Sequence, residues 1–245
     1  MEVKEIVESV KAARDGAKKR GFIQSFDLAL NLKGLDLKKP EGKIKEEVVL
    51  PHGRGKNITV AAFVEGEVAE SAKKAGIETL INKAKLSELG ANKKEAKKLC
   101  SNFDFLIAQP DLMAEVGKNL GAILAPRGKM PKPVPPKGDL KPVLERLKRL
   151  VNLQNKGQPV VHCLVGIETM EDMQIAQNIE AVYNAVTKKL PRGDANIKSA
   201  HVKLTMGHAA RIGGETAMSK AGAEESKTIN HELPTTNSKK DGDLK

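Results

Sequence analysis

The strand predicted at residues 199–206 is the first place where the sequence groups side chains that could do chemistry. The segment SAHVKLTMGHAARI, residues 199–212, alternates polar and apolar residues before it reaches a glycine. In a strand, His201, Lys203 and Thr205 share one face. The apolar residues share the other face: Ala200, Val202, Leu204 and Met206. An imidazole, an ammonium and a hydroxyl in one row can all donate hydrogen bonds, so this row predicts a polar partner and the apolar row predicts a core.

The turn PHGRGK, residues 51–56, is a second candidate because it combines cations with glycines. Its two glycines permit positive φ and an open backbone, while Arg54 and Lys56, with His52 beside them, can hold phosphates. A solvated basic turn at a domain boundary explains the same pattern. The segment therefore predicts either an RNA contact or a soluble hinge.

Two more segments carry groups that suit phosphate. The connection PRGKMPKPVPP, residues 126–136, presents three cations on a stiff, proline-rich backbone: Arg127, Lys129 and Lys132. This segment also predicts either an RNA contact or a soluble hinge. The segment VGIETM, residues 165–170, offers Gly166 and the amides of a following helix. Glu168 in that segment repels phosphate, unless it accepts from a 2′-hydroxyl or a base amine.

The composition favours a polyanionic partner. The 245 residues contain 42 Lys+Arg against 31 Asp+Glu, which gives a formal charge of +11 and a pI near 9.5. No run of about eighteen apolar residues occurs, and the N-terminal residues alternate charged and apolar types, which argues against a membrane span or a signal peptide. Cys100 and Cys163 form no CxxC motif, so we expect reduced, buried thiols in a cytosolic protein.

Aromatic content limits the way in which the chain can recognise a nucleic acid. It has no Trp, one Tyr and five Phe. Proteins that bind single strands usually stack bases on exposed rings, and this chain offers few of them. We expect it to recognise the backbone and shape of structured RNA through hydroxyls, cations and backbone amides.

The remaining pattern predicts the elements that hold these segments. Apolar spacing outside the middle of the chain predicts helices at 3–17 and 168–190 and strands at 24–32, 44–50, 159–166 and 199–206. Thr169 and Asp172 resemble a capping box for the second helix. Residues 57–124 alternate strands and helices in the order of a parallel α/β layer of about four strands, and an amphipathic segment at 140–151 follows a Pro-rich connection.

The simplest architecture that joins these parts is a discontinuous two-layer α+β domain with an inserted Rossmann-like parallel α/β domain. Residues 1–57 plus 154–213 form the discontinuous domain in this prediction, and residues 58–153 form the insertion. The tail, residues 214–245, is polar and lacks periodicity, so we expect it to be disordered.

A nucleotide-dependent enzyme built on the α/β domain is an alternative of another class, because such layers often hold cofactors. The chain lacks GxGxxG, GxxxxGK[ST] and HExxH, and its histidines show no metal-ligand spacing. His162 lies in an apolar strand, so we expect a core histidine, and we expect Cys163 beside it to be a buried thiol. No catalytic residue, metal or cofactor is predicted. A generic basic chaperone of RNA is a third alternative.

Several unusual strings resemble one family. The segments QSFDLALNL, VVLPHGRGK, IAQPDLMAEVG, PRGKMPKPVP, QNIEAVYNAV and VKLTMG are similar, in this order and as far as about Ile212, to the archaeal form of large-subunit ribosomal protein one. The resemblance implies a two-domain protein whose discontinuous domain binds rRNA of the mobile stalk near the tRNA exit site.

The resemblance also implies partners and a location. The partners are large-subunit rRNA, exit-site tRNA and the protein's own mRNA. The protein is expected to assist the release of deacylated tRNA and to repress translation of its own mRNA. The location is the large ribosomal subunit in the cytoplasm, and the free protein is expected to be a monomer.

The resemblance assigns an RNA surface to residues in the first predicted strand and around the last one: Ser25, Phe26, Ser199, Thr205, Met206 and Gly207. The hydroxyls can serve both phosphates and 2′-hydroxyls, and the glycine permits close approach of RNA. Alternation alone favours a core position for Phe26 and Met206. Two residues depart from the family's pattern: Ala125 stands where glycine is expected before Pro-Arg-Gly-Lys, and His208 stands where proline often follows Thr-Met-Gly.

Overall fold

The computed structural model describes residues 2–37, 42–77, 79–134, 140–155 and 157–213. Its helices are α1 (Val3–Asp15), α2 (Glu67–Lys74), α3 (Lys83–Ala91), α4 (Lys93–Asn102), α5 (Pro110–Arg127), α6 (Leu140–Arg149) and α7 (Asp172–Lys189). Its strands are β1 (Ser25–Leu32), β2 (Lys45–Val49), β3 (Val60–Phe63), β4 (Thr79–Ile81), β5 (Phe105–Ala108), β6 (Lys132–Pro133), β7 (Leu150–Gln154), β8 (Val160–Ile167), β9 (Ile197–Leu204) and β10 (Ala210–Ile212).

The two chain ends build an antiparallel sheet with the strand order β10-β9-β1-β8. Every second residue of β1 and β9 is buried, because the sheet packs one face against α1 and α7. Leu28, Val202 and Ile179 are among the fully buried side chains of this core. The opposite face carries no helix from the described residues, so it stays accessible.

The middle of the chain forms a parallel sheet with the order β4-β3-β5-β6. The helices α3, α4 and α5 pack on one face, and α2 and α6 pack on the other. Because both faces are covered, the strand β5 is buried along its whole length. Between the two sheets, β2 pairs with β7 in an antiparallel ladder, and β7 runs across the predicted boundary at residues 153 and 154.

The predicted fold class is confirmed, with an antiparallel α+β part and a parallel α/β part. The start of α7 was predicted wrongly: the helix begins at Asp172, its N-cap is Glu171, and no side chain caps it. Residues 168–170 form a turn instead, because Arg14 of α1 donates hydrogen bonds to the carbonyl oxygens of Glu168 and Met170.

Three short strands escaped prediction, and one histidine was placed wrongly. The strands β6, β7 and β10 have at most five residues each, which is too short for a clear alternation. His162 is exposed on β8, because it lies on the face of the antiparallel sheet that is not covered. Within the described residues, no helix has the length and apolarity that a membrane span requires, and no group of acidic, His and Cys side chains could hold a metal ion. The predicted disordered tail lies outside the described residues.

Candidate RNA-binding surface

Residues from three strands meet at one end of the antiparallel sheet. Ser25, at the start of β1, pairs with Ile167 at the end of β8, and Phe26 pairs with Leu204 at the end of β9. The chain segments that continue from these strands therefore lie side by side. We call the following residues the sheet-end surface: Ser25, Glu168, Thr205, Met206 and Gly207.

The hydroxyl of Thr205 is committed to Ser25. The Ser25 backbone N–H donates to Thr205 Oγ1 at 3.1 Å, and Thr205 Oγ1 donates to the Ser25 carbonyl oxygen at 3.3 Å. That carbonyl also accepts from the Thr205 N–H at 3.0 Å. A hydroxyl has one hydrogen and two lone pairs, so one lone pair stays available. Thr205 can accept a hydrogen bond from a 2′-hydroxyl, but it cannot also donate to a phosphate in this arrangement.

Gln24 holds the sheet-end surface together, and the sequence analysis did not single it out. Its side chain is buried, accepts a hydrogen bond from the Met206 N–H at 3.2 Å and donates to the Lys18 carbonyl oxygen at 3.3 Å. Its backbone N–H donates to Glu168 Oε2 at 3.2 Å, and its carbonyl accepts from the Glu168 N–H at 2.9 Å. A glutamine that precedes an apolar strand gives no signal in sequence, because its role depends on three segments that are distant along the chain.

Arg14 is a second residue that the sequence analysis missed. Its guanidinium lies 5.3 Å from the centroid of the Phe26 ring and forms an ion pair of 2.7 Å with Asp172. The same group donates to the carbonyl oxygen of Met170 at 2.9 Å. The turn that carries Glu168 is therefore fixed to α1 and to the core before any partner binds.

Alternation predicted a core position for both Phe26 and Met206, but only Phe26 is buried. Phe26 is fully buried, so its ring supports the surface from below and does not present itself to a partner. Met206 is 59% exposed, because β9 ends at Leu204 and the turn that follows breaks the alternation. Phe22 and Ile23, which immediately precede the strand, are 51% and 61% exposed. Exposed apolar side chains of this size can cover sugars and bases.

The two glycines of the predicted site serve packing. A Cβ on Gly207 would lie 3.2 Å from Leu204 Cβ and 3.3 Å from Ala17 Cβ, so the glycine lets the turn approach the end of α1. Gly166 is buried on β8, where a Cβ would lie 3.2 Å from Ile175 Cγ1. The expected open approach of RNA to these backbones is therefore limited by the protein's own neighbours.

Ser199, His201 and Lys203 lie on the accessible face of the sheet, which begins at the sheet-end surface. Asn31 Nδ2 donates to Ser199 Oγ at 2.9 Å, and Ser199 Oγ lies 3.1 Å from His201 Nε2. Burial, and then the charge of Arg211, lower the pKa of His201. Asn31, Ser199 and His201 therefore form a connected polar patch. The predicted row of His201, Lys203 and Thr205 ends at Lys203, because Thr205 lies in the turn.

The basic turn at residues 51–56 is ordered by α7. The buried Asn178 accepts from the His52 N–H at 3.1 Å and donates to the Gly53 carbonyl oxygen at 2.9 Å, and the His52 ring contacts Gln177.

Arg54 of the same turn stacks on Phe105 at 5.2 Å from the ring centroid, and burial lowers the pKa of Arg54. Its Nε and Nη2 atoms are buried and have no hydrogen-bond partner among the described residues. Lys56 is exposed. Of the predicted phosphate-binding cations in this turn, only Lys56 is free to meet RNA as the structure stands.

The three cations of the proline-rich connection already have protein partners. Arg127 donates to the Lys97 carbonyl oxygen of α4 at 3.3 Å, and Lys129 Nζ donates to the Phe103 carbonyl oxygen at 2.7 Å. Lys132 forms an ion pair of 2.6 Å with Glu47 of β2. These contacts join the proline-rich connection to α4, to Phe103 and to the β2–β7 ladder. The positions of the three cations therefore favour the hinge interpretation.

Within the described residues, the carboxyl ends of β3 and β5 do not offer a nucleotide site. Gln109 Oε1 accepts from the Glu65 N–H at 3.4 Å, Gln109 Nε2 donates to Asp111 at 2.9 Å, and Glu65 accepts from the Lys83 N–H at 3.0 Å. Two carboxylates therefore stand where a cofactor phosphate would bind between β3 and β5, and they repel it. Burial raises the pKa of Cys163 to about 12, which leaves this thiol without nucleophilic character.

Comparison with known proteins identifies the family of the chain. Residues 10–208 match the model of the ribosomal protein L1p/L10e family. A large ribosomal subunit protein uL1 from Methanothermococcus thermolithotrophicus is 50% identical over 212 residues, which cover 86% of this chain and 99% of the relative. The proteins of the same name from Pyrococcus abyssi and Methanocaldococcus jannaschii are 49% and 48% identical; the alignments cover 85% and 90% of this chain, and 95% and 100% of those relatives. The chain therefore belongs to the ribosomal protein L1p/L10e family and is a structural protein of the large ribosomal subunit, not an enzyme.

Proposed function

We propose that the chain binds large-subunit rRNA of the mobile stalk through the sheet-end surface. The observation that supports this most strongly is the order of the turn at residues 205–207, in which Met206 is exposed while Gln24 and Ser25 hold its backbone from inside. A rigid turn loses little conformational entropy on binding, so its contacts contribute most of their free energy to affinity. Such a surface fits a folded RNA segment better than a flexible single strand.

Cations beside this turn support the same function. Lys18, Lys19 and Arg20 are exposed in the loop that leads to Phe22, and the Lys18 carbonyl is tied to Gln24. They can neutralise phosphates on either side of the exposed apolar residues. Glu168 is only partly exposed and is engaged with Gln24, so its charge opposes RNA less than the sequence suggested.

The domain assignment forms part of this proposal. We assign rRNA affinity to residues 1–57 plus 154–213, because the sheet-end surface and the patch at Ser199 lie within them. Residues 58–153 form the insertion, which we propose contacts exit-site tRNA during its release. The exposed lysines of α4 support an RNA contact on the insertion: Lys93, Lys94, Lys97 and Lys98.

Repression of the protein's own mRNA follows from the same surface. An mRNA segment that copies the rRNA fold would compete for the sheet-end surface, so binding to rRNA and to mRNA would exclude each other. A monomer suffices for both functions, since the surface is built from one chain.

Filter binding to purified large- and small-subunit rRNA tests the proposal. The full chain is expected to prefer large-subunit rRNA, and a shortened chain that joins residues 1–57 to 150–213 through a short linker should keep most of that affinity. This variant retains β7, which pairs with β2. Residues 58–149 alone serve as the control. If the shortened chain folds but loses the rRNA, and the control binds it, the assignment is wrong.

A further inference from the structure

The uncovered face of the antiparallel sheet carries a regular array of mostly polar side chains. The core residues of α1 and α7 cover the other face. We call this array the open face; it consists of Asp27, Ala29 and Asn31 of β1, His162 and Leu164 of β8, Ser199, His201 and Lys203 of β9, and Arg211 of β10. It begins at the sheet-end surface and continues along the strands.

Two histidines flank one small residue at the centre of the open face. Ala29 pairs directly with His162 on one side and with His201 on the other. Neighbouring strands lie about 4.8 Å apart, so the backbones that carry the two imidazoles are about 10 Å apart. If the two rings face each other, half the thickness of each ring, about 1.7 Å, lies within this distance, so a gap of about 6 Å remains above the Ala29 methyl group, and a nucleobase is about 3.4 Å thick. The gap is therefore wide enough for one base.

The imidazole of His201 is held in place before any partner arrives. Ser199 Oγ accepts a hydrogen bond from Asn31 Nδ2, so its own hydrogen can be donated to His201 Nε2. Burial and Arg211 favour the neutral ring, since they lower the pKa of His201. A fixed, neutral ring stacks on a base without first losing a shell of tightly bound water.

We propose that the gap lined by His162, Ala29 and His201 receives an unpaired nucleobase of the bound RNA. This inference rests on the proposed rRNA-binding function and adds a base contact to it. Four-stranded antiparallel sheets stack RNA bases on aromatic rings of their open face, and the imidazole of histidine is among the rings on which bases stack. Arg211 pairs with His201 across the sheet and is exposed, so it can hold a phosphate of the same nucleotide or its neighbour.

The variant Ala29→Ile tests the proposal, because isoleucine fills the gap, suits a strand and leaves both histidines in place. Affinity for large-subunit rRNA is expected to fall about tenfold. Chemical probing of the RNA should show one unpaired base that the unaltered chain protects and that becomes reactive with Ala29→Ile, while the remaining footprint persists. Thr79→Ile introduces the same side chain on β4, a distant strand, and should change neither result.

Histidine variants separate a stacking role from a structural one. His201→Phe retains a ring and should keep the base protected, whereas His201→Ala should expose it, with the melting temperature recorded for each variant. Failure of the unaltered chain to bind rRNA would overturn the proposed function, and this inference with it. Normal binding and the same base reactivity with folded Ala29→Ile and His201→Ala would overturn this inference alone.

Discussion

Replacing Thr205 with valine removes the hydroxyl that joins the two strand ends. Thr205→Val keeps the β-branched shape but deletes the acceptor for the Ser25 N–H, which stands 3.1 Å away in a buried residue. The Ser25 carbonyl keeps its bond from the Thr205 N–H, so only one group loses its partner. The expected loss of unfolding free energy is about 1 to 2 kcal/mol. For a chain of this size that corresponds to a decrease in melting temperature of about 2 to 8 °C.

The same substitution should weaken rRNA binding, for two reasons. The turn that presents Met206 loses one of its fixed points, and the free lone pair of the hydroxyl can no longer accept from a 2′-hydroxyl. Together these effects predict a loss of affinity of about tenfold to a hundredfold. Thr205→Ser restores the hydroxyl and should keep both properties near those of the unaltered chain. Thermal melting and filter binding on the three proteins decide the matter: an unchanged melting temperature with unchanged affinity for Thr205→Val would show that the hydroxyl has neither role.

Three further substitutions have distinct expected results. Arg14→Lys cannot replace the planar contacts to Phe26, Asp172 and the Met170 carbonyl, so thermal melting should show a loss of about 1 to 3 kcal/mol. Lys56→Ala should lower the slope of log affinity against log salt by about one unit, whereas Arg54→Met should leave it unchanged, because the half-buried Arg54 stacks on Phe105 and its Nε and Nη2 atoms are buried. The folded state lowers the pKa of His201 below its ordinary value of 6.5, so stability contributed by the neutral ring is present above that value and is lost as pH falls. Melting temperatures at pH 7.5 and 5.5 should therefore differ less in His201→Gln than in the unaltered chain.

Periodicity predicted the architecture because each long element buries one regular face. The alternation in β1 and the helical spacing of Ile175, Ile179 and Val182 in α7 correspond directly to the observed core. The strands β7 and β10, which pair with the predicted strands β2 and β9, are short segments whose alternation is too brief to be recognised.

The site was less predictable because its order depends on contacts between distant segments. Gln24 connects Lys18, Glu168 and Met206, and no local pattern reports such a junction. The family resemblance selected Met206, which is exposed although the alternation favours a core position, and it also selected Phe26, which is buried. The exposed ring of the region belongs to Phe22, four residues earlier. Exposure of a single aromatic residue before a strand cannot be deduced from spacing.

The most direct test of the central claim is the affinity of Met206→Glu for large-subunit rRNA. Met206 is 59% exposed, so a carboxylate there leaves the core intact and places a negative charge against the proposed RNA partner. The account predicts a loss of at least about tenfold with an unchanged melting temperature, and no loss for Met130→Glu, which alters a methionine that is 43% exposed on the insertion. Equal affinity of Met206→Glu and the unaltered chain would contradict the assignment of RNA binding to the sheet-end surface.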